Sequence, residues 1–336
     1  MDLLLYVGYV VVGAGICWLG SGILERSSRR LATYYQMPAA VQGAVITAVG
    51  SSFPELSSTV LATLLHGTFD LGVASVVGSA LFNILVIPGV SGLVGGRLES
   101  GRLLVFKDVQ FYVTSVAVLM LTFFMAALYN PVPGPGPDRI GVVTRPLALL
   151  PLAFYGLYVY LQVLAVWDHV ADPTPDGPTP GREWLRLGGS LLLILLGAEG
   201  LVRAAIGFGD WFGTPSFLWG LTVVAAGTSL PDMFVSVRAA YGGRGTVSLA
   251  NVLGSNVFDL LVAVPLGIII AGASTVNLSA AVPMMGILTL ATVVLLVILR
   301  TNESLEPSES VALLALYGGF LVLVALETAG FLSVLT

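Results

Sequence analysis

Charge is scarce in this sequence, cysteine appears once and histidine twice. Only 10% of the 336 residues are Asp, Glu, Lys or Arg, against 56% hydrophobic. A soluble domain of this length carries far more surface charge. A lone Cys17 excludes a disulfide framework, and His66 and His169 offer little for a zinc or haem centre. The net charge of −5 is modest and arises from no acidic or basic run, which argues against nucleic acid as a partner. No basic stretch precedes the first apolar run, so residues 3–22 read as a retained span and not a cleaved leader.

What is abundant is apolar windows of the roughly 20 residues needed to cross a bilayer. Ten are expected, near 3–22, 39–65, 71–95, 106–127, 146–167, 185–205, 216–239, 247–272, 280–299 and 310–332. The clearest connections are Asn130 to Asp138, rich in Pro and Gly, and Asp168 to Glu183, rich in Pro, Asp and Gly. The second is the natural joint. It divides the chain into a first five-span half (1–167), a linker (168–184) and a second half (185–336).

Loops after odd-numbered spans hold Arg26, Arg29, Arg30, Arg97, Arg102, Lys107, Arg182, Arg186, Arg238, Arg244 and Arg300; the opposite side holds only Arg139, Arg145 and Arg203. The positive-inside rule then makes the odd loops and the linker cytoplasmic, with both termini outside a cell membrane. A five-span unit repeated once enters the membrane in opposite orientation the second time. The expected fold is an all-α membrane protein of ten transmembrane helices, two inverted five-helix repeats with helices 2 and 7 broken.

Two motifs recur in register. Gly50-Ser51-Ser52-Phe53-Pro54-Glu55 in the second window matches Gly227-Thr228-Ser229-Leu230-Pro231-Asp232 in the seventh, 177 residues on. Val77-Gly78-Ser79-Ala80-Leu81-Phe82-Asn83 matches Leu253-Gly254-Ser255-Asn256-Val257-Phe258-Asp259. A charge near the bilayer centre costs about 2.5–3.5 kcal/mol on insertion scales, so two in matching positions imply a shared task. Proline removes a backbone donor and crowds the carbonyl four residues back. Carbonyls of Ala48, Ser51, Ala225 and Thr228 are therefore expected to line a cavity beside Glu55 and Asp232. Ser52, Ser79, Ser229 and Ser255 add hydroxyls, and Asn83 and Asp259 close the ring. An all-oxygen set suits hard cations such as calcium, and the lack of nitrogen or sulfur donors disfavours zinc, copper or iron. Glu55 and Asp232 together neutralise one divalent ion; with Asp259 they can instead be neutralised by several monovalent ions or protons.

At these four elements the chain resembles the cation/calcium exchanger superfamily, whose two repeats carry Gly-(Ser/Thr)-Ser-x-Pro-(Glu/Asp) followed by Gly-Ser-x-x-x-(Asn/Asp). The resemblance implies calcium extrusion driven by sodium entry, with alternating access and no enzymatic activity. It implies Glu55 and Asp232 as central ligands, with the carbonyls of Ser51 and Thr228 completing the calcium site. Ala48, Ser52 and Ser79 with Glu55 resemble one flanking sodium site, Ala225, Ser229 and Ser255 with Asp232 the other, and Asn83 and Asp259 the remaining central positions. Asp232 is one methylene shorter than the Glu of many prokaryotic relatives, and Ala74-Ser75 stands where many have Gly-Asn. Similarity to potassium-dependent sodium/calcium exchangers leaves potassium co-transport open, and proton/calcium exchange is open too. Calcium and sodium ions and membrane lipid are the expected partners, with no obligate protein partner and no bound cofactor.

The remaining residues invite plainer readings. Ser57, Ser58 and Ser236 suit helix packing, Glu199 and Arg203 suit an i,i+4 pair, and Asp70, Asp108 and Glu327 sit near span ends. Trp18, Trp184, Trp211 and Trp219 read as interfacial anchors and His66 as a solvated loop residue. Gly207-Phe208-Gly209-Asp210 fits the Gly-x-Gly-Asp element of intramembrane aspartyl proteases, but the chain has no Tyr-Asp pair and Asp210 is expected in the loop before the seventh span. A channel would need a continuous carbonyl ring that nothing here makes.

Overall fold

The computed structural model describes residues 2–35, 48–101, 104–133, 139–165, 180–332 and 334–335. They are mostly helical: α1 (Asp2–Tyr34), α2 (Ala48–His66), α3 (Phe69–Gly95), α4 (Gln110–Tyr129), α5 (Arg145–Ala165), α6 (Pro180–Phe212), α7 (Ser216–Thr228), α8 (Leu230–Tyr241), α9 (Gly245–Ala271), α10 (Leu278–Asn302) and α11 (Pro307–Thr328). Among the described residues eight helices are long and apolar enough to cross a membrane, or nine if α7 and α8, bent by 47°, form one span. The protein is therefore multi-pass. Residues 39–47 of the second expected window, 166–167 of the fifth, linker residues 168–179 and Arg102 lie outside the described residues; α6 begins at Pro180.

Two expectations need correction. Helix 2 was expected to break at Gly50 and Pro54, but α2 is continuous through Pro54. Proline's fixed φ is itself helical, so losing one hydrogen bond does not oblige the chain to turn. In the second half the chain does bend, at Ser229, where ψ is −3°. The fold is also not purely α. Strand β1 (Leu98–Glu99), after α3, pairs with β5 (Ser304–Leu305), before α11. Strand β4 (Ala273–Asn277), after α9, pairs with β3 (Ile140–Thr144), before α5, and β2 (Pro131–Val132) adds to the far side of β3.

Both α3 and α9 widen by one π-helical turn, over Phe82–Val86 and Asp259–Ala263. The Ile87 amide bonds the Phe82 carbonyl, and Val264 bonds Asp259, five residues back. Pro88 and Pro265 follow immediately. Neither can donate to the carbonyl four residues behind, so the helix opens just ahead of each proline. Asn83 and Asp259 sit in these widened turns.

Helices α1 and α6 run antiparallel in close contact. A Cβ on Gly13 would lie 2.8 Å from the Gly197 carbonyl oxygen, one on Gly20 2.7 Å from Ile194, and Cys17 Sγ lies 3.8 Å from the Ile194 carbonyl. Glycine also brings α3 against α7, where a Cβ on Gly78 would meet the Leu221 carbonyl. At one end of the bundle Arg30 and Arg186 bind Glu183 at 3.0 and 2.7 Å, and Arg97 binds Glu306 at 3.2 Å. At the other, Arg145 Nε donates to the Ile269 carbonyl at 2.9 Å beside the β2–β3–β4 sheet.

Candidate ion-binding site

Four helical segments converge in the interior. α2 supplies Ser51, Ser52 and Glu55, and α3 supplies Ser79 and Asn83. The α7–α8 bend supplies Thr228, Ser229 and Asp232, and α9 supplies Ser255 and Asp259; all ten are buried. The spacing places them: within each motif the acid falls three or four residues beyond the hydroxyls, one helical turn on.

Hydrogen bonds tie the two halves together across these segments. Ser79 Oγ donates to Glu55 Oε1 at 3.2 Å and lies 2.8 Å from Ser229 Oγ, which itself reaches Glu55 Oε1 at 3.5 Å. Ser255 Oγ donates to Asp232 Oδ1 at 2.9 Å and lies 3.2 Å from Ser51 Oγ. Asn83 Nδ2 donates to Asp232 Oδ2 at 3.3 Å. Glu55 and Asp232 are thus each held by a serine of α3 or α9, and that serine touches a hydroxyl of the opposite half.

Several polar atoms are left over. Among the described residues, Glu55 Oε2, Asn83 Oδ1, Ser52 Oγ and both carboxylate oxygens of Asp259 are buried without a hydrogen-bond partner. Ser52 lies beside Asp259, and the carboxylates of Glu55, Asp232 and Asp259 are near enough to repel one another. No Lys, Arg or His is buried among the described residues. An unpaired carboxylate in such surroundings costs several kcal/mol, a cost that falls only when a cation or proton joins it. Three His, Cys, Asp or Glu side chains do not gather tightly enough among the described residues to hold a metal unaided, so hydroxyl, amide and backbone oxygens must complete any coordination shell.

The backbone positions fare unevenly. Ala48 opens α2. The Ala225 carbonyl accepts from the Ser229 amide at 3.1 Å and the Thr228 hydroxyl at 3.2 Å, so it is engaged within its own helix. Two residues outside the expected set belong to the network: Asn251 Nδ2 lies 3.4 Å from Asp232 Oδ1 and 3.1 Å from Ser236 Oγ, and Asn256 Oδ1 accepts from Asn83 at 3.0 Å. Ser58 bonds Ser75 and the Glu55 carbonyl, and Ser57 bonds the Phe53 carbonyl, as packing hydroxyls do.

Elsewhere, Glu199 pairs with Arg203 at 2.6 Å as expected, but His66 is not a solvated loop residue: it ends α2 and meets Glu199 at 3.1 Å. Asp210 lies exposed in the last turn of α6, not in a loop.

A family model described as sodium/calcium exchanger protein matches residues 5–164 and 183–326. The inner membrane protein YrbG of Escherichia coli is 26% identical over 96% of this chain and 97% of its own length. The sodium/calcium exchanger MaX1 of Methanosarcina acetivorans is 25% identical over 94% of this chain and 98% of its own. The sodium/potassium/calcium exchanger 4 of Homo sapiens is 44% identical over 88 residues, 25% of this chain and 14% of that protein. A solved structure of the sodium-calcium exchanger NCX_Mj superposes with a TM-score of 0.62 at 24% identity, covering 93% of this chain and 96% of that one. The chain belongs to the sodium/calcium exchanger family.

Proposed function

We infer that this member of the sodium/calcium exchanger family is a secondary antiporter that exchanges calcium for sodium across a cell membrane by alternating access. The observation that carries the reading is the meeting of Glu55 and Asp232, buried from opposite halves, in an interior without a buried cationic side chain among the described residues. Glu55 and Asp232 are the central ligands, with Ser51, Thr228, Asn83 and Asp259 around them. Ala48, Ser52 and Ser79 form a flanking site on the Glu55 side, and Ala225, Ser229 and Ser255 one on the Asp232 side. An Asp232 carboxylate that accepts hydrogen bonds from Ser255 and Asn83, and a Glu55 carboxylate that accepts one from Ser79, offer hard oxygen donors of the kind calcium and sodium take.

Exchange follows from the charge balance. Emptied of cations, the carboxylates would stand bare in a low dielectric, a state too costly to carry through a conformational change. One set of ions must therefore replace the other before the protein switches its access. The ten-span layout, with an inverted second half and both termini outside, fits this reading. It is supported by the pairing of β1 with β5 and of β4 with β3, which is the same connection made once at each end of the molecule. The short stretch similar to a sodium/potassium/calcium exchanger favours a second reading, in which potassium accompanies calcium.

The test is a flux assay in reconstituted vesicles, with sodium, potassium and pH gradients varied one at a time. Sodium-driven calcium-45 uptake is expected, and Glu55→Gln or Asp232→Asn should abolish it. Full transport by both variants would refute the site, and uptake driven by a pH gradient alone would replace sodium with protons.

A further inference from the structure

The two halves differ at two positions that their common motif leaves open. Where the first half has the amide Asn83, the second has the carboxylate Asp259; where the second has Asn256, the first has Ala80. These two differences meet in space. Asn256 Nδ2 donates to the Ala80 carbonyl oxygen at 3.2 Å, and Asn256 Oδ1 accepts from Asn83 Nδ2 at 3.0 Å.

A carboxylate accepts on both oxygens and works either way round, whereas an amide has one end that accepts and one that donates. Only its oxygen can face a cation. Asn83 therefore needs its orientation set, and Asp259 does not. The chain of constraints begins at the backbone: the Ala80 carbonyl can only accept, so the Asn256 amino group must point to it. That turns Asn256 Oδ1 toward Asn83, which must answer with its own amino group. Asn83 Oδ1 is then left buried and without a protein donor, beside the Asp232 carboxylate that its amino group also touches at 3.3 Å. Asp232 helps to hold this orientation while it is charged and unligated. A cation bound to Asp232 draws that charge away, and Asn256 is then the partner that keeps the amino group turned from the ion.

We propose that Asn256 is a positioning residue for ion binding, which locks the Asn83 amide with its oxygen toward the cation. The proposal rests on the assignment of Glu55, Asp232 and Asn83 to the ion site. Tyr112 of α4, whose hydroxyl lies 3.3 Å from Thr292 Oγ1 of α10, packs beside Asn256 and backs the lock.

Calcium binding to the purified, detergent-solubilised protein tests it, by calorimetric titration in sodium-free buffer. Asn256→Leu keeps the volume and loses the acceptor; it should weaken calcium binding about tenfold. Asn256→Asp also loses the bond to Ala80 but keeps an acceptor for Asn83, so it should bind within about threefold of wild type or tighter. In an Asn83→Asp background, where no amide remains to orient, the leucine substitution should have no further effect. Asn256→Ser, too short to reach Asn83, replaces the leucine variant if that one does not elute as a single species. Equal weakening by leucine (or serine) and aspartate would reduce Asn256 to a packing residue tied to Ala80 and overturn the proposal, as would wild-type binding by the leucine or serine variant. Failure of the ion site itself reads differently: Glu55→Gln and Asp232→Asn would then bind calcium as tightly as wild type.

Discussion

Glu55, Asp232 and Asp259 are each fully buried, yet their surroundings are not equivalent. Glu55 receives Ser79, and Asp232 receives Ser255 and Asn83, whereas neither oxygen of Asp259 has a hydrogen-bond partner among the described residues. Asp259 is thus the acid least prepared by the protein and most dependent on what binds there. Asp259→Asn should accordingly change the potassium or proton dependence of transport more than calcium affinity, as measured by calcium-45 flux at varied potassium and pH. Equal loss of all three would make it an ordinary ligand. The duplicated hydroxyls and acids were legible in the sequence because each appears twice at a fixed offset. Asn251 and Asn256 were not, because their counterparts Ser75 and Ala80 break the duplication, and a reading built on repetition passes over what occurs once. The contact of His66 with Glu199, 133 residues apart, escaped for a different reason: on one helix only the i,i+4 partner, Arg203, is visible.

Among the elements, proline has three outcomes that sequence alone does not separate. Pro54 leaves α2 continuous and Pro231 follows a bend, while Pro88 and Pro265 each sit just beyond a π-helical turn. Proline forbids a donor; the neighbouring packing decides whether the helix bends, widens or continues. The widened turns carry Asn83 and Asp259, so the helices that present the site are held against their neighbours by glycine contacts with little slack. At Gly78 the obstacle is backbone, with the Leu221 carbonyl of α7 where its side chain would be. Gly78→Leu should destabilise the fold by roughly 1–3 kcal/mol or more through overpacking, read as a lower unfolding midpoint in detergent. Gly8→Leu is the control, since nothing lies within 4 Å of a Cβ at that position. Equal midpoints for the two variants would show that α3 and α7 do not depend on this approach.

For the molecule as a whole, hydropathy located the helices because lipid demands long apolar segments with internally satisfied backbones, and every expected window overlaps a described helix. The β-pairings were invisible, since strands of two to five residues in separate loops leave no local alternation to read. Orientation is the property that sequence argues through Arg and Lys alone, and the fold groups those residues consistently. Arg30 near the end of α1 and Arg186 near the start of α6 meet at Glu183, and Arg97 after α3 meets Glu306 ahead of α11. If that end is cytoplasmic, Tyr241, 79% exposed as the last residue of α8, faces inward, and Phe331, 78% exposed beyond α11, faces outward. Cys17 is buried against Ile194, so single cysteines can be introduced with little background. In sealed right-side-out vesicles a membrane-impermeant maleimide should label Phe331→Cys at once and Tyr241→Cys only after permeabilisation. The reverse pattern would invert the protein in the membrane. Labelling of both without permeabilisation would place the two positions on one face, and the arginine-rich end could then not be assigned to the cytoplasm.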